Sequence, residues 1–484
     1  MHREFLLNIL FLVFVNLLIK PFFIFGIDRT IQNQVGLEDY GIYVALFNFT
    51  FLLSIINDFG IQSFNNQHIS QNNDLLDTYF PNILILKIGL GLLFTVLVLI
   101  MALLIGYDSS YFYLIGFLVL NHILHSAIHF FRSNISALGY YRTDSLMTVL
   151  ERTVLIGICS ILLWANPFET TFQIEWFIYA QTCSLFITAV VAFVLVYKQL
   201  SVFILSFDGA LLWDLFKQSL PFALIVFLMS IYTRLDFVMI ERLLEDGKKE
   251  AGIYASAYRL LDAANVIGVL FSGLLLPMFA KLLKEKADFI PLLQISARMM
   301  FCGTLALAIA VAGFRVEIMT LLYDQATIYS AAILGILIFT FILVGGGYIY
   351  GTLLLANRSL KQLNQLFLGT VMLNIGLNFF VIPRWGALGA AYSTLITQSF
   401  AFIGQVLIAK KIFQLATDVA LLKHLSLFLI GFLLITYIGY TYLPFYWGTN
   451  FMIVLILGVL LGFATNLLKP LWLIEIVNSR KEKV

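Results

Sequence analysis

Charged residues are scarce in this sequence: Asp, Glu, Lys and Arg together make up 12% of its 484 residues. A soluble domain carries about a quarter, so this shortage excludes a water-soluble fold. Apolar residues make up 61%, which also excludes intrinsic disorder, because a disordered chain has too few apolar groups to form a core. The net charge is only +2, and without a clustered basic face we expect no nucleic-acid partner.

Cysteine and proline are also rare. The three cysteines (Cys159, Cys183 and Cys302) lie inside apolar runs, at spacings that resemble neither a metal site nor a disulfide framework. The nine prolines show no Gly-X-Y period, which excludes collagen. The Gly247–Lys248 pair is followed by a second lysine, so the sequence lacks a phosphate-binding loop. We therefore expect no metal, no cofactor and no nucleotide hydrolysis.

Long apolar runs fill most of the chain instead. Each is long enough to cross about 30 Å of hydrocarbon as a helix, and backbone groups in lipid must be satisfied within their own segment. The sequence therefore predicts an all-α polytopic membrane protein with about 14 transmembrane helices. The predicted spans lie near residues 4–27, 39–58, 81–105, 110–131, 145–165, 174–197, 218–240, 251–280, 297–322, 328–355, 363–383, 387–409, 425–443 and 450–476.

Lysine and arginine are distributed unevenly between the predicted loops. If both termini are cytoplasmic, the inner loops and tails carry sixteen Lys and Arg residues and the outer loops carry five. Positive residues concentrate on the cytoplasmic side of membrane proteins. We therefore expect both termini to be cytoplasmic.

Short sequence patterns recur along the chain. The segment Tyr40–Ala45 resembles Ala251–Ser256, which lies 211 residues later, and Ala137–Tyr140 resembles Leu355–Arg358 at an offset of about 219. Such a parallel repeat relates two halves by an axis along the membrane normal. The predicted divisions are a six-helix lobe at 1–200, a second six-helix lobe at 201–415, and two additional helices with a cytoplasmic tail at 416–484.

Three motifs carry a resemblance to a known family. They are Gly36-x-x-x-Tyr40-Gly41-x-Tyr43, Asp236 followed by Gly252-Ile253-Tyr254-x-x-Ala257-Tyr258, and Asn378 with Pro383-x-x-Gly386-Ala387-x-Gly389-Ala390-Ala391. With fourteen spans as six plus six plus two, they resemble the multidrug/oligosaccharidyl-lipid/polysaccharide (MOP) exporter superfamily. Within it the chain is most similar to the bacterial polysaccharide (O-antigen-type) flippases.

The resemblance implies a MATE-like fold and a secondary transporter, not an enzyme, in the bacterial cytoplasmic (inner) membrane. The implied substrate is a lipid-linked (isoprenoid pyrophosphate) oligosaccharide, moved from the inner to the outer leaflet by alternating access for lipopolysaccharide or other surface polysaccharide. The expected partners are that substrate, membrane lipid, and polysaccharide polymerase and assembly proteins.

Ionisable groups within spans are costly and are expected to face a protein-lined or aqueous interior. Cations are predicted in both halves of the membrane, as carriage of a diphosphate between leaflets would require. The predicted substrate-binding cations are Lys20, Arg29, Lys87, His122, His125, His129, Arg152, Arg234, Arg259, Arg298 and Arg315. The acids predicted to couple transport or to pair with these cations are Asp58, Glu151, Asp236, Asp262 and Glu317.

Each of these groups also has a structural interpretation. Neighbours such as Arg259 and Asp262 could be pairs that lock helices together, whereas Lys20 and Lys87 need an anion from another helix or from a ligand. His122, His125, His129 and Arg132 share one helical face, which fits a ligand-facing stripe, a proton relay or hydrogen bonds between helices. A two-histidine metal site lacks a completing carboxylate or cysteine.

Two other functions stay open at this point. A cation-coupled multidrug exporter of the same superfamily would favour an interior dominated by acids, whereas this one has slightly more bases. A membrane polysaccharide polymerase would need catalytic acids and a sizeable outer loop, but the longest predicted outer loop has only about ten residues.

Overall fold

The computed structural model describes residues 19, 21–72, 75–165, 170–201, 203 and 208–468. Within these residues, helices are joined by short connections, and twelve helices are long and apolar enough to cross a membrane. The all-α, polytopic architecture predicted from composition is therefore confirmed.

The chain forms two compact units, Met1–Ala255 and Ser256–Val484. The divisions predicted near residues 200 and 415 stay a prediction. The helices of the first unit are α1 (Arg29–Leu53), α2 (Ile61–Gln71), α3 (Leu76–Ile105), α4 (Phe112–Ala137), α5 (Tyr141–Ser160), α6 (Ile174–Tyr197) and α7 (Gly209–Leu243). Helix α8 (Gly247–Lys284) begins in the first unit and continues in the second. The second unit contains α9 (Ile290–Gly313), α10 (Arg315–Leu322), α11 (Ile328–Ala356), α12 (Leu360–Phe413), α13 (Val419–Thr441) and α14 (Trp447–Ala464).

Aliphatic and aromatic side chains together form the hydrophobic core of each unit. In the first, the rings of Phe80 and Phe130 stack with their centroids 5.3 Å apart. In the second, Phe428 and Phe432 stack at 5.5 Å. Because lipid tails are as apolar as these side chains, such close packing, and not exclusion from water, holds transmembrane helices together.

Helix α12 is a hairpin. Its 54 residues would extend about 81 Å if straight, far more than a bilayer. Gly386 has φ 58° and ψ −142°, and beyond it the chain returns, so that Gly404 lies against Leu366 and Gly389 against Val381. The spans predicted near 363–383 and 387–409 are therefore its two antiparallel arms.

This hairpin explains why twelve apolar helices are observed where more spans were predicted. When its arms are counted separately, the described residues contain thirteen spans. Of the other predicted span, near 4–27, the structure describes only residues 19 and 21–27.

Replacement of Gly386 by Ala is expected to destabilise the protein by about 1–3 kcal/mol, because a residue with a side chain is strained in this conformation. The measurement is the free energy of unfolding in mixed micelles titrated with sodium dodecyl sulfate. Gly376→Ala is the matched control, since a methyl group at Gly376, in the first arm, would meet no neighbouring atom within 4 Å. Equal stability of the two variants would contradict the prediction.

The internal repeat has a structural counterpart at two helix joints. Gly139 (φ 86°) lies between α4 and α5, and Arg358 (φ 55°) lies between α11 and α12. The two positions are 219 residues apart, as are the helix starts Tyr141 and Leu360. The sequence offset therefore relates joints with the same left-handed turn.

A second counterpart is the close crossing of α1 and α8 inside the first unit. A methyl group on Gly41 would overlap the carbonyl oxygen of Lys248, and one on Gly252 would overlap that of Leu37. Leu37 precedes Gly41 by four residues, as Lys248 precedes Gly252. The crossing is thus symmetric, and it joins the two copies of the motif found at the 211-residue offset.

Candidate functional site: a polar cluster around helix α4

Most of the first unit's predicted site residues gather around α4. His122, at the buried end of the predicted stripe, bonds through its Nε2 to the Thr50 hydroxyl at 3.0 Å. The rings of Phe47 and Phe51 lie 5.2 and 6.0 Å from the imidazole. The His122 side chain is therefore covered by residues of α1.

The next two histidines contact each other. The rings of His125 and His129 meet edge to face with centroids 4.4 Å apart. His125 is exposed and His129 is half-buried, in contrast to His122. Arg152 and Arg132 are close enough to His125 to interact with it electrostatically. The stripe therefore changes from an enclosed end to an accessible end.

The ammonium group of Lys87, on α3, has three hydrogen-bond acceptors in the protein. Its Nζ is 2.7 Å from Asp58 Oδ1, 2.9 Å from Ser126 Oγ and 3.2 Å from the Asn57 carbonyl. The ammonium group is buried, with a side-chain exposure of 7%. The anion that the sequence required for Lys87 is thus supplied by another segment of the chain, the turn after α1.

The accessible end of the stripe opens onto a cavity of about 380 Å³. Arg132 lies there and bonds through Nε to Asp144 Oδ1 at 2.7 Å. The lining residues come from α2, α4 and the first turn of α5, and they are Gln62, Asn66, His129, Arg132, Ser133, Ser136 and Asp144. Asn66 fixes α2 against α4 by donating to the Ser133 carbonyl at 3.0 Å.

Arg152 and Glu151 lie on α5. Arg152 Nε is 3.9 Å from Glu151 Oε1, and the guanidinium group covers the Phe23 ring at 4.8 Å. With 39% of its side chain exposed, Arg152 is held more loosely than Lys87. The interpretation of Arg152 and Glu151 as a structural pair therefore has a geometric basis.

The other predicted residues of the first unit lie away from the cavity. Buried Asp236 accepts a hydrogen bond from the Tyr254 hydroxyl at 3.1 Å across the α7–α8 turn. Arg29 begins α1 and Arg234 lies on α7, and both have interactions within the described residues. Lys20 lies outside the described residues.

The predicted residues of the second unit are dispersed. Arg259 is 3.8 Å from Asp262, Arg298 is 3.4 Å from Asp418, and Arg315 donates to the Ala312 carbonyl at 2.8 Å. Glu317 lies in the first turn of α10, two residues after Arg315.

Sequence reasoning missed several partners. Asp144 and Asp418 form ion pairs, and Asp28 accepts a hydrogen bond from the Tyr40 hydroxyl at 2.8 Å. The sequence did contain one indication of the Arg132–Asp144 pair. The turn at Gly139 brings the end of α4 beside the start of α5, and Arg132 and Asp144 lie a few residues before and after this turn.

A second charged cluster links the α3–α4 connection to the end of α7. Arg242 makes two hydrogen bonds to Glu241 at 2.5 and 2.6 Å, and it covers the Tyr107 ring at 3.9 Å. Burial, followed by the Glu241 carboxylate, raises the pKa of Tyr107. The backbone N–H of Ser110 lowers the pKa of Asp108. Tyr107 is therefore a neutral phenol at neutral pH, and Asp108 is ionised.

The family model described as polysaccharide biosynthesis protein matches residues 5–283, which is more than half of the chain. The chain belongs to the polysaccharide biosynthesis protein family. A comparison with curated protein sequences gives no significant match.

Solved structures establish the fold of this family member. The lipid II flippase MurJ, in an inward closed conformation, superposes with a TM-score of 0.71 at 14% identity, covering 96% of this chain and 98% of that one. An inward-facing multidrug resistance MATE family transporter of the MOP superfamily gives 0.64 at 15% identity, with 85% and 99% covered. A MOP superfamily transporter from Pyrococcus furiosus gives 0.57 at 16% identity, with 84% and 95% covered. The family member therefore has the MOP superfamily fold, as its motifs predicted.

Proposed function

We propose that this member of the polysaccharide biosynthesis protein family is a secondary transporter that moves a lipid-linked oligosaccharide from the inner to the outer leaflet. The substrate is an isoprenoid pyrophosphate sugar, and the process is alternating access. The proposed location is the bacterial inner membrane, with both termini in the cytoplasm and with polysaccharide polymerase and assembly proteins as partners. The superposition with a protein described as a lipid II flippase supports this choice.

The cavity beside α4 is the observation that carries the proposal. Its described lining consists of Arg132, His129, amides, hydroxyls and one carboxylate, Asp144, which is already paired with Arg132. Such a lining suits phosphate and sugar oxygens, which accept hydrogen bonds. A cationic drug would instead need a carboxylate without a partner.

The remaining predicted cations have a proposed place in the same process. The substrate would meet a series of cations in turn as it crosses the membrane. These are the cations at the accessible end of the stripe, followed by Arg152, Arg29, Arg234, Arg259, Arg298 and Arg315. The acids Asp58, Glu151, Asp236, Asp262 and Glu317 would keep these cations charged in a poorly solvated interior.

Vesicles containing the purified full-length protein are expected to expose a fluorescent isoprenyl diphosphate sugar from their inner leaflet to an external, membrane-impermeant quencher. Quenching should proceed beyond the outer-leaflet fraction at a rate that depends on the amount of protein. A fluorescent zwitterionic phospholipid is the control, and its quenching should stop at the outer-leaflet fraction.

Two outcomes would contradict the proposal. Transport of cationic dyes with no exposure of the labelled lipid would identify a multidrug exporter. Growth of the glycan on the lipid without other proteins would identify a polymerase.

A further inference from the structure

Lys87 and Arg132 differ in the hydrogen-bond donors that they leave free. Every hydrogen of the Lys87 ammonium group has a protein acceptor, from Asp58, Ser126 and Asn57. Lys87 therefore cannot bind a substrate oxygen unless it gives up one of these bonds.

Arg132 uses only one edge of its guanidinium group. Nε donates to Asp144, whereas Nη1 and Nη2 donate to no protein atom in the part of the chain that the structure describes. Arginine presents these N–H groups as a rigid fork that matches the oxygens of a phosphate. The Asp144 carboxylate holds the group in place, so less conformational freedom is lost when a ligand binds.

The other cavity residues add donors to the same space. His129, Arg132, Ser133 and Ser136 lie at positions i, i+3, i+4 and i+7, which share one helical face, and Gln62 faces them from α2. Within the described residues, the side chains of His129, Gln62 and Ser136 have no hydrogen-bond partner. Among the described lining residues Asp144 alone contributes a carboxylate, and Arg132 already binds it. A ligand here meets an excess of donors.

The size of the cavity is sufficient for such a ligand. Its volume of about 380 Å³ falls within the roughly 300–1,000 Å³ typical of small-molecule sites. Its walls come from helices, which hold a site more firmly than loops do.

We propose that the cavity between α2, α4 and α5 binds the diphosphate group of the lipid-linked substrate, with Arg132 as the principal ligand and His129, Gln62 and Ser136 as further donors. Lys87 is a positioning residue that joins α3 to α4 and to the turn after α1. This inference rests on the proposed function for the identity of the diphosphate, but the phosphate site can be tested separately.

The test measures the dissociation constant of the full-length protein in lipid nanodiscs for three probes. These are a short-chain isoprenyl diphosphate, inorganic pyrophosphate and the matching isoprenyl alcohol. Arg132→Gln is expected to weaken binding of the isoprenyl diphosphate by about tenfold or more, as for the loss of charge-assisted hydrogen bonds. Gln62→Leu, which leaves the Arg132–Asp144 pair intact, should weaken it by about threefold through loss of a neutral hydrogen bond.

Arg142→Gln is the matched control, because Arg142 is exposed near the same helix joint and does not line the cavity. It should bind like the wild type. If Arg132→Gln weakens binding of the isoprenyl diphosphate and of pyrophosphate equally, the site recognises phosphate itself. If it weakens binding of the lipid alone, the site recognises a lipid headgroup. Both results support the site, and comparable binding of the alcohol would overturn it.

Two further outcomes separate this inference from the proposed function. If Arg132→Gln and Gln62→Leu bind like the wild type while the vesicles still expose labelled lipid, the cavity is not the diphosphate site and the flippase proposal stands. If the wild type binds diphosphate in a manner that requires Arg132, but the vesicles expose no lipid, the site stands and the flippase proposal fails.

Discussion

Replacement of Lys87 by Ala is expected to lower the free energy of unfolding by about 3–5 kcal/mol, because it leaves the partner of a buried ion pair without its counterion. Asp58 would lose its contact at 2.7 Å, and Ser126 and the Asn57 carbonyl would each lose a donor. The measurement is equilibrium unfolding of the purified protein in mixed micelles titrated with sodium dodecyl sulfate.

The matched control for Lys87 removes both charges. The double variant Lys87→Met, Asp58→Leu should recover most of the lost stability, because apolar residues of similar size often replace a buried pair at little cost. Arg152→Ala, which removes a cation with 39% side-chain exposure, should change stability by less than about 1 kcal/mol. If Lys87→Ala were as stable as Arg152→Ala, Lys87 would not have the positioning role.

Replacement of Gly41 by Ala is expected to have an effect of similar size, about 3 kcal/mol, at the upper end of the range for overpacked interiors. The added methyl group would overlap the Lys248 carbonyl oxygen, which belongs to a helix backbone and cannot rotate away. Gly252→Ala should cost a comparable amount, because its methyl group would meet Leu37 in the same way.

The prediction for Gly41 and Gly252 has a matched control elsewhere in the first unit. Gly116→Ala on α4 is the control, since a methyl group there would meet no neighbouring atom within 4 Å. It should match or slightly exceed the wild-type stability, because Ala favours a helix over Gly by about 1 kcal/mol. A full cost at Gly41 with none at Gly252 would refute the symmetric crossing.

The sequence predicted the helices and the repeat because both depend on local patterns. Apolar runs determine where a helix crosses lipid, so thirteen of the predicted spans recur among the described residues. The segments matched at an offset of about 219, Ala137–Tyr140 and Leu355–Arg358, contain the two left-handed turns at Gly139 and Arg358. The break between the spans predicted near 363–383 and 387–409 also located the reversal in α12, but hydropathy does not show that one non-helical residue, Gly386, makes the turn.

Partners distant in the sequence could not be predicted. Lys87 and Asp58 are 29 residues apart, and Arg298 and Asp418 are 120 apart. Their pairing depends on the rotation of each helix about its axis, which the packing of many side chains determines together. The same limit explains why Arg132 was seen as part of the histidine stripe but not among the binding residues.

The two copies of the repeat differ in length and in helical structure. From Gly41 to Gly139 the first copy spans 98 residues (139 − 41), whereas from Gly252 to Arg358 the second spans 106 (358 − 252), a net difference of eight. In the first copy the chain breaks after Leu53 and forms α2, whereas α8 continues unbroken to Lys284. The cavity wall formed by α2 therefore belongs to the first copy of the repeat alone, because α8 occupies the corresponding stretch of the second copy as one continuous helix.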